Sequence, residues 1–230
     1  MPPSHGAGVP RGAGVSAKVG DVRAFRKDLT RWGKANRRSF PWRETDDPFR
    51  ILVAEVLLQR SRGTTVAKVY EQLFERWPDA ASLSRARADT IEKVIRPLGL
   101  NKRAGTLKEM AAVVSGLHEV PSTRDALLAL PGVGPYAAGA TLAVAFGKRT
   151  PVVDGVTARV YRRYFGLDPA IPASSDPELW RVVAEASPPK NNKEWNWAVL
   201  DLASSVCLPK VPQCHECPLA AHCAWSQGHG

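Results

Sequence analysis

The sequence predicts an all-α protein, and three observations support that class. Apolar residues recur at helical spacing, as where Phe25, Leu29 and Trp32 fall at i, i+4 and i+7. Gly, Pro and short polar stretches cut the chain into helix-length pieces. No segment alternates apolar and polar residues for long, as a half-buried strand would require. There is no internal repeat of solenoid length.

The elements follow in order. Residues 1 to 20 mix Gly, Pro, Ala and Ser with scattered charge and lack periodicity, which predicts a disordered tail. Phe25, Leu29 and Trp32 mark a first helix within residues 21–43. After the turn-rich Phe40-Pro41-Trp42-Arg43 and the acidic residues that follow it, Ile51 to Gln59 forms a strongly apolar helix. Further helices are expected near 64–76, 88–96 and 103–116. Ser122 with Asp125 three residues on has the pattern of a capping arrangement that starts a helix at Asp125. A chain of 230 residues allows one large domain or two small ones, and 44% hydrophobic residues suffice for a core.

Charge narrows the partner. Lys and Arg number 32 against 22 Asp and Glu, a net charge of +10. Such an excess predicts an acidic partner, and nucleic acid is the commonest. No signal peptide and no apolar run long enough to span a bilayer is visible, so the expected location is the cytoplasm, close to the nucleoid.

The four cysteines, Cys207, Cys214, Cys217 and Cys223, are spaced C-x6-C-x2-C-x5-C near the C-terminus. Cysteine occurs nowhere else, so these four build one site. Four thiolates around one centre mean zinc or an iron–sulfur cluster. Two disulfides would suit an oxidising compartment, for which there is no targeting signal. Structural zinc usually takes two short hooks, and only Cys214 and Cys217 form one, which weighs against zinc without removing it. Pro209, Pro212 and Pro218 stop helices within the loop.

Three features upstream carry chemistry. Leu130-Pro131-Gly132-Val133-Gly134-Pro135-Tyr136 lies between helical stretches. Its glycines allow a tight turn with exposed N–H groups, and Pro135 suits the first position of the next helix. Gly132, Val133 and Gly134 could thus hold a phosphate without reading bases. Asp154 precedes a new helix and is a natural N-cap, a position where the helix dipole favours a carboxylate. Such a carboxylate can also stabilise positive charge developing at a cleaving glycosidic bond. Glu55 interrupts the apolar run from Ile51 to Leu58, so it faces either a cleft or solvent. Burial would raise its pKa and make it a proton donor.

A buried Glu, a hairpin followed by Asp, and four cysteines stand in one order. In this the chain, over roughly residues 22–226, resembles the helix–hairpin–helix DNA glycosylase superfamily, in the branch with a C-terminal [4Fe-4S] loop. The resemblance implies a six-helix barrel domain at 44–148 and a cluster domain at 149–230. The first helix, 21–43, joins the cluster domain, and a DNA cleft lies between the two. It implies a [4Fe-4S] cluster on Cys207, Cys214, Cys217 and Cys223, with Lys210, His215 and His222 nearby. The implied partner is double-stranded DNA holding a mismatched or damaged base, bound by a monomer with no membrane contact.

Site roles come from the same resemblance. Asp154 matches the catalytic aspartate, and Glu55 matches the pocket glutamate of the MutY and Mig branches. Endonuclease III carries a strand-cutting lysine where this chain has Tyr136, so the resemblance implies a monofunctional glycosylase. Gln59, Arg60 and Arg62 would fill the gap left by a flipped nucleotide. Arg43 and Trp197 would line the base pocket. The run Leu58-Gln59-Arg60-Ser61-Arg62 is nearer Mig than MutY, and so is Ile95 to Ala104, which lacks the MutY tyrosine pair. Trp197 replaces a glutamine that pairs with adenine, and an indole offers one donor and no acceptor. The chain also ends just after the cysteines, without the MutY C-terminal domain. The expected activity is therefore release of thymine or uracil mispaired with guanine. An adenine glycosylase is the alternative, and a redox-sensing DNA-binding protein without catalysis is a second one.

Overall fold

The computed structural model describes residues 20–99 and 103–228, and among these residues every regular element is helical. The expected tail lies outside the described residues except for Gly20, as do positions 100–102 of the Mig-like segment. Twelve α-helices run in order: α1 Val22–Ala35, α2 Pro48–Leu58, α3 Gly63–Arg76, α4 Ala80–Arg85, α5 Ala88–Ile95, α6 Arg103–Leu117, α7 Arg124–Leu128, α8 Pro135–Val144, α9 Gly155–Phe165, α10 Pro177–Ala186, α11 Asn192–Ser205 and α12 Ala224–Gly228. Short 3-10 turns fill Pro41–Arg43, Cys214–Glu216 and Ala220–His222. No helix among the described residues is long and apolar enough to cross a membrane.

Local chemistry sets five of the twelve described helix starts. Asp21, Asp47, Asp79, Asp154 and Asp176 are N-caps whose side chains accept backbone N–H groups of the first turn. Asp79 and Asp154 form full capping boxes with Ser82 and Thr157. The capping arrangement expected at Ser122 is not present. α7 begins at Arg124 behind Thr123, and no side chain caps it. Starting the helix there places Asp125 at its second position, one short of where a capping box needs it. The Ser122 carbonyl instead accepts a bond from the Lys148 ammonium.

Two apolar cores result. The first runs from Trp42 to Leu142 and is built by α2 to α8, with Leu52, Leu73, Leu83, Ile91 and Leu107 fully buried. The second joins Phe25 and Leu29 of α1 to α9, α10 and α11, with the rings of Tyr161, Tyr164 and Phe165 packed at tilted angles around Phe25. The sequence ends of the second core thus enclose the first, which explains why α1 packs chiefly on α11. Burying one such aromatic contributes about 2–3 kcal/mol.

Polar and aromatic contacts fasten the cores together. Ile51 of α2, Val144 of α8 and Trp197 of α11 form a small cluster between them. Beside it, Arg43 and Asp201 make a two-pronged buried ion pair, with Nη1 to Oδ2 at 2.7 Å and Nη2 to Oδ1 at 3.0 Å. The Arg38 Nε donates to the same carboxylate at 2.7 Å. A carboxylate so enclosed is tolerable only because these donors satisfy it.

Candidate active site

Three elements meet where the two cores adjoin. α2 contributes Glu55, the second residue of α8 is Tyr136, and the N-terminus of α9 is capped by Asp154. Glu55 is 9% exposed. Burial pushes its carboxyl up to about 7. The Arg43 guanidinium opposes that rise and the Asp154 charge adds to it. The half-buried Tyr136 hydroxyl is pushed well above its ordinary range, first by burial and then by the Glu55 and Asp154 charges. Tyr136 therefore feels both carboxyl groups, and Glu55 feels Asp154, although these residues are far apart in the chain. Near neutral pH the cluster offers a protonatable carboxyl at Glu55 and an un-ionised phenol at Tyr136.

The Asp154 geometry is asymmetric. Its Oδ1 accepts the Val156 N–H at 2.9 Å, the Thr157 N–H at 2.7 Å and the Thr157 hydroxyl at 2.9 Å. All the described hydrogen bonds of its carboxylate fall on that oxygen, which leaves Oδ2 without one. Capping thus occupies one oxygen of the carboxylate and leaves the other available. A half-buried carboxylate held this rigidly suits stabilisation of a cation forming beside it.

The hairpin lies between α7 and α8. Gly132 adopts φ +75°, and a Cβ there would come within 2.4 Å of Thr106 Cγ2 in α6. Both the left-handed backbone and the close approach need glycine. Gly132→Ala is expected to cost about 1–3 kcal/mol, and urea unfolding would measure it. An unchanged midpoint would mean that the turn relaxes freely. The expectation of three free N–H groups is met in part. Val133 is buried and its N–H turns inward to the Leu130 carbonyl at 3.2 Å. Only Gly132 and Gly134 of the three are left for an outside acceptor, together with the first-turn N–H groups of α8, which have no intrahelical partner.

The turn after α2 carries the other expected contacts. Arg60 and Arg62 are exposed, and Arg60 holds φ +58°, a left-handed conformation that costs a non-glycine residue about 1–2 kcal/mol. The Gln59 side chain points back into the fold, donating from Nε2 to the Gly132 carbonyl at 3.0 Å.

Arg43 and Trp197 sit side by side. The Arg43 guanidinium lies 4.9 Å from the Trp197 ring centroid, with Arg37 at 4.9 Å and the Lys193 ammonium at 5.2 Å around the same indole. Trp197 is 5% exposed and lines a cavity between α1 and α11. Asp201 was not singled out in the sequence, yet it orients Arg43. A lone acid within Trp197-Ala198-Val199-Leu200-Asp201-Leu202-Ala203 is the signal that could have found it, the same signal that Glu55 gives in α2.

The four cysteines line one cavity between α9 and the C-terminal turns, floored by Val160, Leu202 and Leu219. Burial pushes the Cys217 thiol up to about 11, and the charges of Cys207, Cys223 and Cys214 add to the shift. Arg163 donates toward Cys207 Sγ at 3.5 Å and to the Leu208 and Pro209 carbonyls at 2.6 and 2.8 Å. Among the described residues no three His, Cys, Asp or Glu side chains form a group tight enough to hold a metal ion by themselves. Lys210, His215 and His222 are exposed along the same loop.

Comparison with known proteins bears on this arrangement. The model of the "HhH-GPD superfamily base excision DNA repair protein" matches residues 53–185. The chain is 35% identical to a thymine-DNA glycosylase of Aeropyrum pernix over 90% of its own length and 96% of that protein. It is 34% identical to the human adenine DNA glycosylase over 89% of its own length, but spans 40% of that longer protein. Among solved structures, a thermostable thymine-DNA glycosylase superposes with a TM-score of 0.84 at 33% identity, covering 90% of this chain and 97% of that one.

Proposed function

The chain belongs to the HhH-GPD superfamily of base excision DNA repair proteins, and from that membership we propose a DNA glycosylase that releases thymine or uracil mispaired with guanine. The observation that carries the chemistry is the meeting of Glu55, Tyr136 and Asp154, with one Asp154 oxygen tied to its helix and the other unbound. The similarity to a thymine-DNA glycosylase over nearly its whole length supports the base assignment. So does Trp197, which cannot pair with adenine as a side-chain amide can.

The steps follow from these groups. The hairpin N–H groups and the exposed Arg60 and Arg62 hold the phosphates, and the mispaired nucleotide leaves the stack at low cost. The glycosidic electron pair departs with the base, which takes a proton from the Glu55 carboxyl. The Asp154 carboxylate stabilises the sugar cation. Water then adds to the anomeric carbon and returns a proton to Glu55, leaving an abasic site.

Tyr136 has no amine, so no Schiff base forms and the strand stays intact. Tyr136→Lys is expected to create a trappable covalent adduct with abasic DNA under borohydride, absent from the parent chain. An adduct formed by the parent would overturn the monofunctional assignment.

We assign the four cysteines to a [4Fe-4S] cluster, supported by four thiols lining one cavity with the Arg163 cation beside Cys207. When bound, the cluster supplies a cross-link that orders the C-terminal loop, and it takes no part in base release.

The identity to an adenine DNA glycosylase favours one competing activity. Duplexes holding G·T, G·U and adenine opposite oxidised guanine, followed by alkali cleavage, separate the two. Release from the first two supports the proposal. Release of adenine alone would overturn it, and release from none would leave a DNA-binding protein without catalysis.

A further inference from the structure

We infer that Arg103 is a positioning residue that locks the turn after α2 and the hairpin before α8 into one rigid unit, so that phosphate grip and base extrusion act together. The inference rests on the proposal that these two segments face DNA. Arg103 opens α6 and is remote in sequence from both.

One guanidinium gathers three acceptors, from Leu57, Gln59 and Ser61. Its Nη1 donates to the Leu57 carbonyl at 3.0 Å and to Ser61 Oγ at 3.4 Å, and its Nη2 donates to the Gln59 carbonyl. These carbonyls lie at the open end of α2, where Ser61 supplies the other bonds, its N–H to the Leu58 carbonyl at 3.0 Å and its hydroxyl to the Gln59 carbonyl at 3.4 Å. Gln59 passes the constraint on, because its Nε2 donates to the Gly132 carbonyl. Gly132 in turn lies against Thr106, one turn into α6. The start of α6, the turn and the hairpin therefore form a closed loop of contacts.

Arg60 is the residue this loop displays. It keeps its left-handed backbone between two acceptors that Arg103 binds, the Gln59 carbonyl and Ser61 Oγ. The two guanidinium charges repel: Arg103 is pushed below its ordinary range by burial and by Arg60. Repulsion directs Arg60 outward, toward the phosphates or the gap that a flipped nucleotide leaves. Glu55 lies within the same helix, so slack in the turn also reaches the base pocket. A lysine would present all its donors from one nitrogen and lacks the planar fork whose two Nη groups span these acceptors.

The test uses the whole chain and two variants, Arg103→Gln and Gln59→Ala. Amide hydrogen exchange in the free protein is the first readout. Arg103→Gln should raise exchange about tenfold at both 58–62 and 130–134, and Gln59→Ala at 130–134 alone. The second readout is 2-aminopurine fluorescence in a G·T duplex, with single-turnover base release. Arg103→Gln should keep affinity for an unmodified duplex and lose extrusion and release about 100-fold. Arg103→Lys should not restore them. Adding Arg60→Gly to Arg103→Gln should lower duplex affinity but cost no further extrusion or release, because both losses act through Arg60. Faster exchange confined to 58–62, or full additivity of the two losses, would overturn the inference. A parent chain that releases no base while Arg103→Gln still loosens both segments would sink the glycosylase proposal and leave the lock standing.

Discussion

Asp154→Asn is expected to slow single-turnover base release about 1,000-fold while leaving duplex affinity and folding intact. The substitution is chosen for what it keeps. Asparagine is as good an N-cap as aspartate, so its Oδ1 can still accept from the Val156 and Thr157 N–H groups and from the Thr157 hydroxyl. What it removes is the negative charge at Oδ2, where the sugar cation would form. Asp154→Ala would also remove the cap and cost about 1 kcal/mol, which confuses folding with chemistry. Rate, affinity by filter binding and the urea midpoint should therefore separate: the first collapses and the other two hold. A variant that binds and releases base at the parent rate would reduce Asp154 to a helix cap.

Local chemistry made much of the fold legible. The third helix was expected at 64–76 and runs Gly63–Arg76, because apolar spacing and Gly63 mark its limits within one residue. Asp154 was readable as a cap because capping is decided within four residues. Glu55 was conspicuous because an acid inside an apolar run contradicts its surroundings, and it is buried. The Arg43 and Asp201 pair could not be read, since the two are separated by 158 positions and only the packing of α11 brings them together. The Arg103 contacts were hidden for a different reason. Their acceptors are mainly backbone carbonyls, which every residue carries and no sequence pattern distinguishes. Val133 shows the same limit: whether a hairpin N–H faces out or bonds Leu130 depends on a turn angle, not on residue type.

Those unreadable contacts explain how the readable residues become a site. Glu55 is tolerable in the core because Arg43 offsets part of its burial, and Arg43 stays in place because Asp201 and the Arg38 carbonyl hold its fork. An arginine free to swing out would leave Glu55 with burial alone. The acid strength of a group on α2 is thus set partly by α11, across the boundary between the two cores.

Glu55→Gln tests that balance in two opposite directions. At neutral pH the substitution removes the proton donor, and base release should fall about 100-fold or more. The parent rate should also decline as pH rises through about 7, where Glu55 loses its proton, and the variant should lack that limb. Stability should move the other way. The folded pKa of about 7 lies above the ordinary 4.5, so between these values the folded chain holds a proton that the unfolded chain has lost. Stability therefore falls as pH climbs from 4.5 to about 7 and stays lowered above it; at about 1.4 kcal/mol per pH unit the loss amounts to about 3 kcal/mol. Glutamine pays no such ionisation penalty. The variant should accordingly be more stable than the parent by about 3 kcal/mol at pH 8, and the advantage should vanish below pH 4.5. Urea unfolding at both pH values measures it. Parallel curves at the two pH values would show that Glu55 is solvated in the folded chain, and a retained rate would show that another group delivers the proton. A gain in stability paired with a loss of rate is the signature of a carboxyl kept in the core for its acidity, because nothing in packing alone would put it there.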